Sequence, residues 1–150
     1  MSEIIKHRQQ TYSESKKSFL YKIFKRITIS ARNEFFNLFV KNNNYSSNKT
    51  IIDIGTTPSL DKEQNIFLEK IKDNPSITCL SNQDCKILLR KYKHIKNILI
   101  GDGKNTKFDD NSFDIVHSNA TIEHVGSFDS QVSFVKELQR ISKESVFIQT

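Results

Sequence analysis

Apolar residues change their spacing once along this chain, near residue 50. Before it, Phe19, Leu20, Ile23, Phe24, Ile27, Ala31, Phe35, Leu38 and Phe39 recur at helical intervals, with no Gly or Pro between them. This spacing predicts one or two helices over 12–41. Thr11-Tyr-Ser-Glu14 has the form of a capping box ahead of them, and residues 1–11 read as disordered. The Asn-rich stretch 42–48 reads as a polar linker. After it come short apolar runs at 50–54, 77–80, 97–100, 113–118 and 145–149, the form of strands buried on both faces. Helical patterns separate several of them, at 61–72, 84–93 and 129–142. Strands alternating with helices demand parallel pairing with crossovers, hence an α/β, doubly wound, mostly parallel sheet preceded by a helical segment.

Composition adds a division of charge. Residues 1–50 carry ten Lys/Arg against three Asp/Glu, and residues 51–150 carry thirteen against fourteen, so the net +6 belongs to the first third. We expect a basic helical segment and linker at 1–48 and a separate ligand-binding domain at 49–150. A basic helix can attract nucleic acid, anionic lipid or an acidic substrate, or be a solvated face. Nucleic acid ranks last among partners, because basic and aromatic residues are not interleaved on a predicted strand surface. No apolar run reaches the roughly 20 residues of a membrane-spanning helix, and because Met1-Ser2-Glu3 opens a polar stretch, no signal peptide is expected there. Cys79 and Cys85 have no second pair, against a zinc site or disulfide framework; we expect reduced thiols and a cytoplasmic protein.

The candidate chemistry sits where strands end. In a doubly wound sheet, ligands bind beyond the carboxyl ends of the strands, beside strand 1. Gly55-Thr56-Thr57-Pro58-Ser59 stands there, and a glycine permits both a sharp turn and close approach of a ligand. The loop lacks the Gly-x-Gly-x-x-Gly that holds a dinucleotide pyrophosphate on helix amides. Asp53 lies inside strand 1, where a carboxylate needs a partner. Gly101-Asp102-Gly103 follows strand 3. Ser118-Asn119-Ala120-Thr121-Ile122-Glu123-His124-Val125 leaves strand 4. An imidazole titrates near neutrality, so His124 is a candidate general base and Glu123 a candidate orienting or substrate-binding group; both can equally be local packing residues. His117, inside strand 4, reads as a satisfied core residue.

Taken together, the run 50–59 and the run 98–125 resemble the cofactor half of a class I S-adenosylmethionine-dependent methyltransferase of the type 11 kind. Lys107-Phe108-Asp109-Asp110-Asn111-Ser112-Phe113-Asp114 is similar to that family's Leu-Pro-Phe-x-Asp-x-Ser-Phe-Asp, with Lys107 where Pro is common. The resemblance spans about 50–150. It implies a Rossmann-like sheet and S-adenosyl-L-methionine as cofactor. It implies that Asp53, Gly55, Thr56, Thr57, Asp102, Gly103 and Asn119 contact or support that cofactor. Asp53 would support the glycine loop and the methionine part, or make a structural hydrogen bond. Asp102 would meet the adenine amino group. The acid that relatives place after strand 2 for the ribose is missing: its position falls on Ser81 or Asn82, with Asp84 displaced into a helix start. Some relatives bind metal through Glu-x-x-Glu-His; Ala120 stands at the first Glu, so no metal is expected. The acceptor is expected to be a small molecule or glycan. The resemblance also implies further strands after strand 5, so the sheet is expected to be incomplete at its C-terminal side, open to self-association along strand 5. The competing reading is a truncated, non-catalytic methyltransferase-like domain.

Overall fold

The computed structural model describes residues 19–43 and 45–150. The chain divides between Phe35 and Phe36 into two compact units. Helix α1, Phe19–Asn42, begins in the first unit, where Phe24 and Ile27 are 66% and 59% exposed. The capping-box residues 11–14 and the expected disorder at 1–11 lie outside the described residues.

In the second unit, the last turns of α1 bring Phe39 into the core, edge-on to Phe67 with ring centroids 5.1 Å apart. Asn43 caps this end, its backbone N–H and its Nδ2 both donating to Phe39 O. Five parallel strands follow, in the order β3-β2-β1-β4-β5. They are β1 Ile51–Ile54, β2 Ile77–Ser81, β3 Ile95–Ile100, β4 Phe113–Asn119 and β5 Ser142–Gln149. Between β1 and β2 lies α2, Ile66–Lys70; between β4 and β5 lies α3, Phe128–Ile141. The chain leaves β1 toward β2 and β3, then crosses back to β4. The switch point therefore falls at the carboxyl ends of β1 and β4.

Alternate residues of a strand face opposite sides of the sheet. Ile51 joins a cluster with Phe39, Phe67, Leu68, Ile71 and Ile115. Ile52 and Ile54 join the other, with Val116, Phe134, Leu138 and Ile141 from β4 and α3. All four residues of β1 are buried, as its near-continuous apolar run requires.

The doubly wound parallel sheet matches the sequence expectation; two helices do not. The pattern at 61–72 yields only the five residues of α2. Side chains capture the backbone before it: Ser59 Oγ accepts from Asp61 N, Asp61 Oδ1 accepts from Glu63 N, and Asn65 Nδ2 donates to the carbonyls of Thr57 and Ser59. The pattern at 84–93 yields a 3₁₀ turn, Lys86–Arg90, where Asp84 Oδ1 accepts from Lys86 N. β5 starts three residues earlier than expected, directly at the end of α3, and forms one edge of the sheet.

Candidate active site

An open cavity of about 640 Å³ lies at the carboxyl ends of β1 to β4. Each strand end contributes a short piece. From β1 come Ile54, Gly55, Thr56 and Thr57; from β2, Leu80, Ser81, Asn82 and Gln83. From β3 come Ile100 to Lys104; from the segment after β4, Ala120, Thr121, His124 and Val125; Phe134 of α3 closes one side.

The β1 turn depends on its glycine. Gly55 has φ +94° and donates its N–H to Leu80 O at 2.9 Å. Thr121 stands over it, with Oγ1 donating to Asn119 O (3.0 Å) and Ile54 O (3.3 Å). Just before Thr121, Ala120 has φ +49°, a conformation that costs an L residue energy and recurs at functional sites. The bond from Ala120 N to Gln149 O at 2.8 Å holds it there. On the loop's far side, Asn65 grips the carbonyls of Thr57 and Ser59. Nothing in the strand and helix pattern singles out Asn65 or Thr121; their burial and bonds arise only in three dimensions.

At the β3 end, Asp102 Oδ1 accepts from Lys104 N at 2.9 Å and Asp102 O from Asn105 N at 3.1 Å, a tight turn that leaves the side chain 60% exposed. Gly103 lets α3 pack close: a Cβ there would lie 2.7 Å from Phe134 Cε2 and 2.9 Å from Ile54 Cγ2. The segment beyond is tied to α3 by Glu137, which accepts from Thr106 N (2.7 Å) and from Arg140. The Arg140 guanidinium, opposing the effect of burial, holds the Glu137 carboxyl down at about 2.

Of the expected site residues, Gly55, Thr56, Thr57, Asp102, Gly103 and His124 line the cavity. Asp53, Asn119 and Glu123 are not among its lining residues. Asp53 is buried and bonds to Thr56 Oγ1 at 2.7 Å and to His117 Nδ1 at 2.6 Å. Asn119 ends β4, and its carbonyl serves Thr121. Glu123 is exposed on the 3₁₀ turn Ile122–His124. Ser81, Asn82 and Gln83 occupy the β2 side without a carboxylate, and Asp84 lies outside. Cys79 and Cys85 are free and buried, and burial pushes both thiols up, away from nucleophilic character.

The lining fits an adenosyl sulfonium better than a dinucleotide. A pyrophosphate wants consecutive amides at a helix start, whereas the chain after Gly55 is irregular and α2 begins only at Ile66. The charged side chains of the lining, Asp102 and Lys104, offset one another, and Ile54, Leu80, Ile100 and Val125 supply apolar surface for a flat ring. Among the described residues, no helix is long and apolar enough to cross a membrane.

Residues 76–148 match a family described as methyltransferase domain. A search of curated protein sequences finds no match. Among solved structures, the fold is similar to a SAM-dependent methyltransferase from Aquifex aeolicus (17% identity, TM-score 0.56, covering 75% of this chain and 61% of that one). It is also similar to one from Methanosarcina mazei (18%, 0.59, 73% and 55%). A Pyrococcus horikoshii protein matches over 90% of this chain and 56% of its own, at 18% identity and TM-score 0.60. The chain thus spans between 55% and 61% of the length of these structures. It shares the Rossmann-like α/β fold of these structures, and the methyltransferase-domain match falls on residues 76–148.

Proposed function

We propose that the cavity holds S-adenosylmethionine and that the chain is the cofactor-binding part of a methyltransferase. One observation carries this reading. The cavity sits at the β1/β4 switch point, with an obligatory left-handed Gly55 on one side and an exposed Asp102 carboxylate on another. When bound, the cofactor supplies a methyl group activated by a sulfonium, which passes to an acceptor nucleophile as the carbon–sulfur bond breaks.

In this reading the protein contributes position more than reactivity. Asp102 accepts from the adenine amino group. The Asn82 and Gln83 amides, with the Ser81 hydroxyl, take the ribose hydroxyls in place of a carboxylate. The turn 55–57 receives the amino-acid end. His124, exposed at the cavity beside Val125, takes the acceptor's proton. A small molecule or glycan suits this open cavity, which has no basic stripe for a nucleic-acid backbone. Two unpaired buried thiols favour a reducing, cytoplasmic setting. Residues 49–150, together with the core-packed end of α1 from Phe36, act as the cofactor domain and the residues before Phe36 as an accessory segment, and the open edge of β5 is the surface for self-association.

Titration calorimetry tests the reading. Heat is expected with S-adenosylmethionine and S-adenosylhomocysteine and none with NAD. Heat from NAD alone would overturn it.

A further inference from the structure

Asp53 faces the aromatic side of the sheet, and both of its oxygens are occupied by protein. Oδ2 accepts from Thr56 Oγ1 at 2.7 Å, and Oδ1 lies 2.6 Å from His117 Nδ1. His117 stands directly across from Asp53 in the β1–β4 pairing. Three rings restrain its imidazole. It stacks on Phe67 at 3.7 Å and 6°, lies parallel to Phe147 at 6.1 Å, and meets Phe39 edge-on at 5.7 Å. At the other end of this chain of contacts, Thr56 is 4% exposed and lines the cavity, and its carbonyl accepts from Cys85 Sγ at 3.3 Å.

We propose that His117 is a positioning residue for the cofactor site. Clamped by the aromatic rings, it fixes the Asp53 carboxylate; Asp53 fixes Thr56; and Thr56 sets the turn 55–57 that lines the cavity. The physical reason is the cost of an unpaired buried acceptor. Without the imidazole nitrogen, Asp53 Oδ1 has no partner in its apolar surroundings. Asp53 then relieves that cost by moving or by drawing in water, and either response releases Thr56. The structural carboxylate inside β1 therefore acts on the ligand at one remove. The inference rests on the cofactor reading above for the identity of the ligand, but not for the behaviour of the turn.

Two substitutions separate the donor from the ring. His117→Phe keeps an aromatic ring for the stack and removes the nitrogen. His117→Asn restores an N–H near the Nδ1 position and gives up the stack. Each variant and the parent would be titrated with S-adenosylhomocysteine and with adenosine. Amide exchange at 55–57 would be followed without ligand, using 77–80 in β2 as the internal control. For His117→Phe we expect about tenfold weaker S-adenosylhomocysteine binding, the scale of one unpaired buried acceptor. Adenosine binding should change less than about twofold, and exchange should quicken at 55–57 but not in β2. His117→Asn should recover most of the affinity. Thr56→Val, which leaves the aromatic core untouched, should reproduce the selective loss if His117→Phe fails to fold.

Parent-like binding and exchange in His117→Phe would overturn the proposal. So would equal losses for both ligands, or equal losses in the Phe and Asn variants, which would assign the effect to packing. If the parent binds neither ligand, the cofactor reading falls; unchanged exchange at 55–57 in His117→Phe would then overturn the positioning role separately.

Discussion

Gly55 and Thr121 interlock: a Cβ built on Gly55 would lie 1.9 Å from Thr121 Oγ1 and 2.8 Å from its Cβ. Thr121 is held there by bonds to the carbonyls of Ile54 and Asn119. The glycine thus joins the end of β1 to the segment leaving β4, at the point where the cavity opens. A side chain at 55 would strike protein before it reached the cavity.

Gly55→Ala should therefore destabilise the fold by about 2–4 kcal/mol, from left-handed strain plus the clash. Urea unfolding gives the value. Adding Thr121→Gly should recover the clash part and leave the backbone part. Simple steric blocking of the ligand predicts lost affinity with unchanged stability instead.

Gly103→Ala should cost about 1–3 kcal/mol by overpacking against Phe134 and Ile54. Phe134→Ala, at a fully buried ring that also lines the cavity, should cost about 3–5 kcal/mol. The double variant should be less damaging than the two separate losses together, because the new methyl enters space vacated by the ring. Strict additivity in denaturant titrations would show that the two sites do not touch.

Asp102→Ala should weaken S-adenosylhomocysteine binding by about 0.5–1.5 kcal/mol, the value of one hydrogen bond. Stability should be nearly unchanged, because the carboxylate is exposed and its bond to Lys104 N lies within a surface turn. Calorimetry at fixed salt measures the first, thermal unfolding the second. A large fall in melting temperature would make Asp102 a turn residue and not a ligand contact.

Acid should unfold the domain over a defined window. Burial alone would raise the Glu69 carboxyl, but bonds from Lys72, Lys91 and Tyr92 outweigh it and hold the group at about 2, against an ordinary 4.5. Glu137 is held at about 2 chiefly by Arg140. Carboxyls with depressed folded values stabilise fully above their unfolded values and lose that contribution as protons bind. The contribution of these two carboxyls should therefore be constant above about pH 5 and be lost as pH falls from 4.5 to 2. Glu137→Gln should flatten part of that loss, as measured by denaturant midpoints across the pH series.

Much of this architecture was legible in one dimension, for identifiable reasons. The run 51–54 is apolar on both faces because β1 is sandwiched by clusters on each side. Gly55 and the Gly101-Asp102-Gly103 turn could be placed at strand ends because a strand's end fixes where its loop points. The helix at 61–72 was misread because Asn65 and Asp61 look like ordinary helix-surface residues until the loop carbonyls they grip are folded beside them. Asp53 was legible as a buried acid in need of a partner, but the partner His117 lies 64 residues away.

The sequence by itself determined the parallel α/β topology, the strand ends that would carry a ligand, and the absence of a pyrophosphate-type glycine loop. These follow from local periodicity and from residue types whose backbone preferences are intrinsic. Tertiary structure alone decided which side chains reach the cavity. Register across β1 and β4 turns Asp53 toward His117 and the aromatic core, and packing of Thr121 on Gly55 and of Phe134 under Gly103 shapes the walls. Those outcomes depend on contacts between distant segments, and no local pattern encodes such contacts.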